Sequence, residues 1–170
     1  MTEKDLVKKA ISGDVDAFCS LYDKYKTKLF NYAYYKLGNT QDAEDVVQDC
    51  MLTAYEQIGK LKKPEAFSSW IYTILYHGCV SAVKEQAAKR NHSDIEEYSN
   101  IISYDNDINF EREEIKQALS ILSEDDQSII LLSVVVGLKS KEVAKITGLT
   151  SGNVRQRLSR SLSKMKRYLS

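Results

Sequence analysis

Apolar residues recur every three or four positions along most of the chain, and helix-capping polar residues separate the runs. Thr2 with Asp5 predicts the cap of a first helix over residues 3–11, closing near Gly13. Asp14 suits the start of a second helix, in which Ala17, Phe18, Leu21, Tyr22, Tyr25, Leu29, Tyr32 and Ala33 keep helical spacing as far as Leu37 and Gly38. Those tyrosines fit either a core or a binding stripe. Thr40 is the expected cap of a third helix over 41–58, with Val47, Cys50, Met51, Ala54, Tyr55 and Ile58 on one broad face. Pro64 suits the first position of a fourth, from residue 65 to about 90. It is apolar nearly all round: Phe67, Trp70, Ile71, Ile74 and Leu75 form one face, Tyr72, Tyr76, Cys79 and Val83 a second, flanked by Ser69 and Thr73.

Periodicity lapses over 91–109, which reads as an extended linker, and resumes with Ile115, Leu119 and Leu122. Ser123 with Asp126 predicts the next cap, ahead of a buried set of Ile129, Ile130, Leu132, Val134 and Val135 that Gly137 closes. A short helix capped by Ser140 should end at Gly148, and Thr150 should cap a last one with Val154, Leu158, Leu162, Met165 and Leu169 facing inward. One proline, seven glycines and few alternating β-branched segments complete an all-α prediction. It comprises two small helical domains, 1–90 and 110–170, joined by the linker.

The C-terminal pair has the layout of a helix-turn-helix. Ala144, Gly148 and Val154 fall where that motif needs a small contact residue, a turn and a buried apolar residue. Asn153, Gln156, Arg157, Arg160 and Lys164 are expected on the opposite face, amides first and cations further along, as suits a DNA groove. A solvated amphipathic helix is the alternative.

Charge changes the picture. The chain has 24 basic and 24 acidic residues and no net charge, which alone argues against nucleic acid. Yet residues 139–169 hold nine of those cations and one acid, Glu142, so a basic end is offset by an acidic body. On the third helix Asp42, Asp45, Asp49, Thr53 and Glu56 form a stripe too long to be explained by capping and the helix dipole. It fits docking on a basic partner helix or a solvated face. Lys60, Lys62 and Lys63 precede the aromatic fourth helix, an arrangement that suits either single-stranded DNA or core packing. The linker carries Asp94, Glu96, Glu97, Asp105 and Asp107 and no Lys or Arg, while Ile95, Tyr98, Ile101, Ile102 and Tyr104 remain able to dock. Cys19, Cys50 and Cys79 read as buried free thiols of a cytoplasmic protein. His77 and His92 have no catalytic or metal-ligating neighbours, so no enzyme activity, metal or cofactor is expected. No apolar run approaches membrane-span length.

Four segments resemble a known family: D-A-F-C-S-L-Y-D-K-Y (16–25), L-G-N-T-Q-D-A-E-D-V-V-Q-D (37–49), P-E-A-F-S-S-W-I-Y-T-I (64–74) and the C-terminal G-L-T-S-G-N-V-R-Q-R-L-S-R-S-L. In that order they resemble bacterial RNA polymerase sigma factors of the extracytoplasmic-function (ECF) group, which have regions 2 and 4 only. The resemblance implies that Asp42, Asp45, Gln48, Asp49, Thr53 and Glu56 face the clamp helices of the largest subunit of core RNA polymerase. It implies that Lys60, Lys62, Lys63, Ser69, Trp70, Tyr72, Thr73, Tyr76 and His77 capture the melted −10 strand, with Lys84, Lys89 and Arg90 also on −10 DNA. Ser151, Gly152, Asn153, Arg155, Gln156, Arg157, Arg160 and Lys164 would then read the −35 duplex, with the C-terminal domain on the polymerase flap. The acidic linker resembles the segment that threads toward the active-site channel. An anti-sigma factor, possibly membrane-anchored, is a further implied partner. The chain departs from the family pattern at His77, Ser81 and Lys84, and at Asn153 and Ser161, positions that bear on promoter sequence. Against this stands a stand-alone helix-turn-helix regulator with an N-terminal ligand or dimerisation domain, which would bind its operator without polymerase. An adaptor that binds only polymerase would leave the cationic face unexplained.

Overall fold

Capping chemistry decides where most of the helices begin. In this computed structural model, which describes residues 1–92 and 106–170 (side chains 1–90 and 112–170), α1 spans Glu3–Ile11. Thr2 Oγ1 accepts from the Asp5 amide and Asp5 Oδ2 accepts from the Thr2 amide, each at 3.2 Å. Helix α2 (Val15–Leu37) opens on Asp14, whose carboxylate accepts from the Ala17 amide, and ends at Gly38, left-handed with φ 84°. Helix α3 (Thr40–Gln57) is capped by Asn39, not Thr40: Asn39 Oδ1 accepts from the Asp42 amide at 2.8 Å. The extended backbone of Asn39 leaves Thr40 as the first helical residue.

A 3-10 turn at Pro64–Ala66 delays α4, which runs Phe67–His92. Helix α5 (Asn106–Ser120) starts earlier than expected, so helices enter both ends of the 91–109 stretch. The docking residues expected between Ile95 and Tyr104 lie outside the described residues. Helix α6 (Glu124–Ile130), capped by Ser123, runs on into one π turn, Leu131–Val135. Helix α7 (Ser140–Thr147) starts at Ser140 itself, after Lys139 and without a side-chain cap, and ends at left-handed Gly148. Thr150 Oγ1 then accepts from the Asn153 amide to cap α8 (Ser151–Leu169). The described residues form helices and turns without strands, as the periodicity predicts.

The N-terminal core is built on rings. Tyr25 meets Phe67 edge-on at 5.2 Å and its hydroxyl donates to the Glu3 carboxylate at 3.0 Å. Tyr25 and Tyr32 are buried and Tyr22 packs partly buried against them, which resolves the tyrosine stripe of α2 as core; Tyr34 and Tyr72 are buried as well. The C-terminal core is aliphatic: Leu119, Leu122, Ile129, Ile130, Leu131, Leu132, Val136, Val143, Ile146 and Val154. Each such side chain contributes about 1.5–3 kcal/mol when fully buried.

Four sequence expectations need correcting here. The π turn bonds Val136 N–H back to Leu131 and so takes in one extra residue. The inward register shifts with it: Leu131 and Val136 are buried, while Val134 is 56% exposed. On α8 the inward face centres on Val154 and Ser161, leaving Leu162 and Leu169 exposed. Tyr55 is half exposed, with its ring edge-on to Phe18. Cys19 is exposed. Cys50 and Cys79 are buried as expected, and burial pushes both thiols up to about 12. The two halves share one continuous hydrophobic cluster, with the π turn packed on α2 and α7 packed on α4.

Candidate nucleic-acid and protein interfaces

Helix α8 stands on the turn made by Gly148, with Ala144 and Val154 buried behind it. Gly152, Asn153, Arg155, Gln156, Arg160 and Lys164 are all solvent-exposed, and Ser151 is half-buried beside the cap. Arg157 is the exception. Its Nε donates to Asp126 Oδ1 at 2.8 Å and its Nη1 lies 3.8 Å from Asp125, both in the first turn of α6. At 100° per residue, three positions beyond Val154 bring it within about 60° of the buried face, close enough to turn inward. Arg157 therefore ties α8 to α6 and leaves the outer cationic face to its neighbours.

Around α4 the expected residues separate by environment. Lys60, Lys62 and Lys63 are exposed on the preceding loop, and Lys84, Lys89 and Arg90 are exposed along the last turns. His77 is exposed with its ring edge-on to Tyr76 at 5.5 Å. Trp70 is half-buried and leans on Phe67. Ser69 and Thr73 donate their hydroxyls to the backbone carbonyls of Ala66 and Ser69, at 3.2 and 2.7 Å. Tyr72 is 1% exposed and packs beside Tyr25, so it is a core residue with no face for a base; burial raises its phenol pKa. Half-buried Tyr76 is likewise raised, first by burial and then by the negative charge of Asp125.

On α3, Asp45, Gln48, Asp49, Thr53 and Glu56 all reach solvent. Asp42 does not share that freedom. Half-buried, its Oδ2 accepts from Gln86 Nε2 at 2.7 Å and Asn39 Nδ2 at 3.0 Å, linking α3 to α4. The cleft between those helices, about 310 Å3, is lined by Asp45, Asp49, Glu85 and Lys89 among others. Leu52, missed by the sequence reading, is 62% exposed amid the acids. Its signal was present: it stands three and four residues from Asp49, Gln48 and Glu56, so it shares their face. Leu52 thus gives the acidic face of α3 an exposed apolar centre.

Residues 21–89 match sigma-70 region 2, and residues 112–165 match sigma-70 region 4. The chain is 26% identical to the ECF RNA polymerase sigma factor SigW of Bacillus subtilis, covering 99% of this chain and 97% of that protein. The chain belongs to the ECF group of RNA polymerase sigma factors. A second relative, the RNA polymerase sigma factor SigV of Bacillus subtilis, is 28% identical over 84% of each chain. CnrH, solved with the cytosolic domain of CnrY, has the same fold, with a TM-score of 0.79, 21% identity and coverage of 98% of this chain and 96% of that one. So does RpoE of Bartonella quintana, solved with the anti-sigma factor NepR, with a TM-score of 0.73, 20% identity and coverage of 91% and 98%. As an ECF sigma factor, the chain directs promoter-specific transcription initiation by RNA polymerase.

Proposed function

We propose that this sigma factor docks on core RNA polymerase through the outer face of α3, with Leu52 at its centre and Asp45, Gln48, Asp49, Thr53 and Glu56 around it. The partner surface is a basic helical one, the clamp helices of the largest subunit. Residues 1–90 act as region 2, the lysine loop and the exposed rim of α4 holding the melted −10 strand. Residues 110–170 act as region 4, in which Asn153 and Gln156 read −35 base edges and Arg155, Arg160 and Lys164 hold phosphates. The segment between them serves as the acidic linker. The polymerase supplies the chemistry, so the chain is a cytoplasmic initiation factor rather than an enzyme. An anti-sigma factor is the regulatory partner, of the kind that NepR is to the sigma factor RpoE of Bartonella quintana.

The observation that carries this reading is the pairing, in one chain, of an exposed acidic-apolar patch on α3 with an exposed amide-then-cation face on α8. A stand-alone regulator has no use for the first. Transcription from a cognate promoter with purified core polymerase is the direct test: start-site-specific transcript should require both proteins. Tight operator binding by the chain alone, with no new start site on adding core, would refute it. Asp45→Lys with Asp49→Lys should abolish association with core while leaving circular dichroism and duplex binding by the C-terminal half unchanged. Unaltered association would remove α3 as the docking face.

A further inference from the structure

Helix α1 belongs to neither proposed interface, yet its charges are sorted by direction. Glu3 turns to α2, where its carboxylate accepts from the Tyr25 hydroxyl at 3.0 Å and meets Lys24 Nζ at 2.9 Å. Asp5 is committed to the cap, accepting from the Thr2 amide and hydroxyl. Lys4 and Lys8, four residues apart and so on one face, are turned toward the lysine loop. Lys4 Nζ lies 3.1 Å from Glu65 Oε1, in the turn that follows that loop. The Glu65 carboxyl is held below the usual carboxylate range, first by its own backbone amide, then by Lys4, with Lys8 adding a weaker attraction. Lys8 is exposed and makes no ion pair among the described residues.

Packing fixes this face in place. Val7 and Ala10 are buried and Leu6 and Ile11 pack partly buried beside them. The helix also rests on the two 3-10 turns, Ile58–Lys60 and Pro64–Ala66, that bracket the loop. Lys60, Lys62 and Lys63 are exposed on that loop, so Lys4 and Lys8 continue its cationic surface, with Glu65 between them. A surface of this sign fits a polyanion, and cations beside a strand-holding loop track the backbone of a single strand. An exposed lysine–carboxylate pair is weak, so Lys4 can leave Glu65 for a phosphate oxygen at little cost.

We propose that α1 extends the nucleic-acid surface of the N-terminal half, with Lys4 and Lys8 holding backbone phosphates of the melted strand next to the stretch held by the lysine loop. The proposal rests on the −10 reading above. Lys4 exchanges Glu65 for a phosphate when the strand arrives, and Lys8 gains its first ionic partner. Phosphate contacts carry no sequence information, so α1 adds affinity and position while base choice stays with other residues. Glu65 competes with the strand for Lys4, which moderates the grip of the surface on polyanions in general.

The test uses the full chain assembled with core polymerase, on a cognate promoter whose −10 non-template strand is left unpaired, with affinity followed against salt. Lys4→Ala/Lys8→Ala should flatten the plot of log K against log salt by about 1.4, at ~0.7 for each phosphate contact to a single strand. Lys8→Ala alone should flatten it by about 0.7. That variant keeps the Lys4–Glu65 pair and carries the test if losing the pair disturbs the loop. Lys9→Ala should leave the slope unchanged, since at ~100° per residue it lies about 100–140° round the helix from Lys8 and Lys4. Glu65→Gln releases Lys4 and should tighten binding several-fold. An unchanged slope in Lys8→Ala, or equal flattening in Lys9→Ala, would overturn the phosphate role. Weaker binding by Glu65→Gln would make the pair a brace for the loop and overturn the exchange at Lys4. Variants that keep the slope but lose affinity for core itself would set these cations against an acidic protein surface and overturn the DNA assignment. A parent complex that holds paired and unpaired −10 DNA equally would instead remove the −10 reading, and this extension with it.

Discussion

Helices α4 and α8 are both proposed as nucleic-acid contacts, yet they are built in opposite ways. Along α4, Phe67, Ile71, Tyr72, Leu75 and Cys79 are buried, and the helix packs on α2, on α3 and on α7. The DNA contact proposed for it falls to an exposed rim and to the lysine loop before it. Along α8 only Val154 and Ser161 are buried, and the rest is half-exposed or open to water. An open recognition helix can change its specificity residues with little effect on folding. A helix shared between the core and a ligand cannot. The same chain therefore has one proposed grip that stands open to water and one that is shared with the core.

The largest expected effect follows from the shared role of α4. Phe67→Ala removes a ring that meets both Tyr25 and Trp70 and should cost about 3–5 kcal/mol. Urea denaturation of the full chain would register it as a lower midpoint. If the N-terminal half keeps its stability, α4 is not the core-building helix described above. Next comes a pair on α8 that separates a structural cation from a DNA-facing one. Arg157→Ala breaks a half-buried ionic hydrogen bond to Asp126 and should destabilise the C-terminal half by about 1–3 kcal/mol, with the salt dependence of duplex binding nearly unchanged. Arg160→Ala should leave stability alone and lower the slope of log K against log salt by about one. Were the two results exchanged, the inward turn of Arg157 would be refuted.

How far the sequence disclosed this arrangement depends on the distance over which each feature is determined. Helix caps at Thr2, Asp14, Ser123 and Thr150, and the left-handed turns at Gly38 and Gly148, are local and were readable from neighbouring residues. The cap of α3 was assigned one residue late because Asn39 and Thr40 are both competent and only backbone geometry chooses between them. The π turn was invisible because a run of Leu and Val at 131–136 supports several registers. Periodicity placed Arg157 with the cations, since nothing in α8 reveals that Asp125 and Asp126 wait across the domain. Leu52 was legible but overlooked among its acids. The pairing of Lys36 with Glu124 between the halves was the least accessible feature: the two are 88 residues apart and neither is unusual in its own helix.

The smallest effect expected is also the cleanest probe of α8 as a peripheral helix. Thr150→Ala removes the oxygen that satisfies the Asn153 amide and should cost about 1 kcal/mol, little beside the loss at Phe67. Because the cap lies outside the core, the cost should be confined to α8. Hydrogen exchange should quicken at the amides of residues 152–154 while the α4 amides keep their protection. Affinity for −35 duplex should fall only by the few-fold that a frayed first turn implies, because Asn153 and Gln156 still reach the groove whenever the turn is formed. Faster exchange spreading into α4 would mean that the two helices are folded as one unit, and the contrast between an open helix and a core-building one would have to be given up.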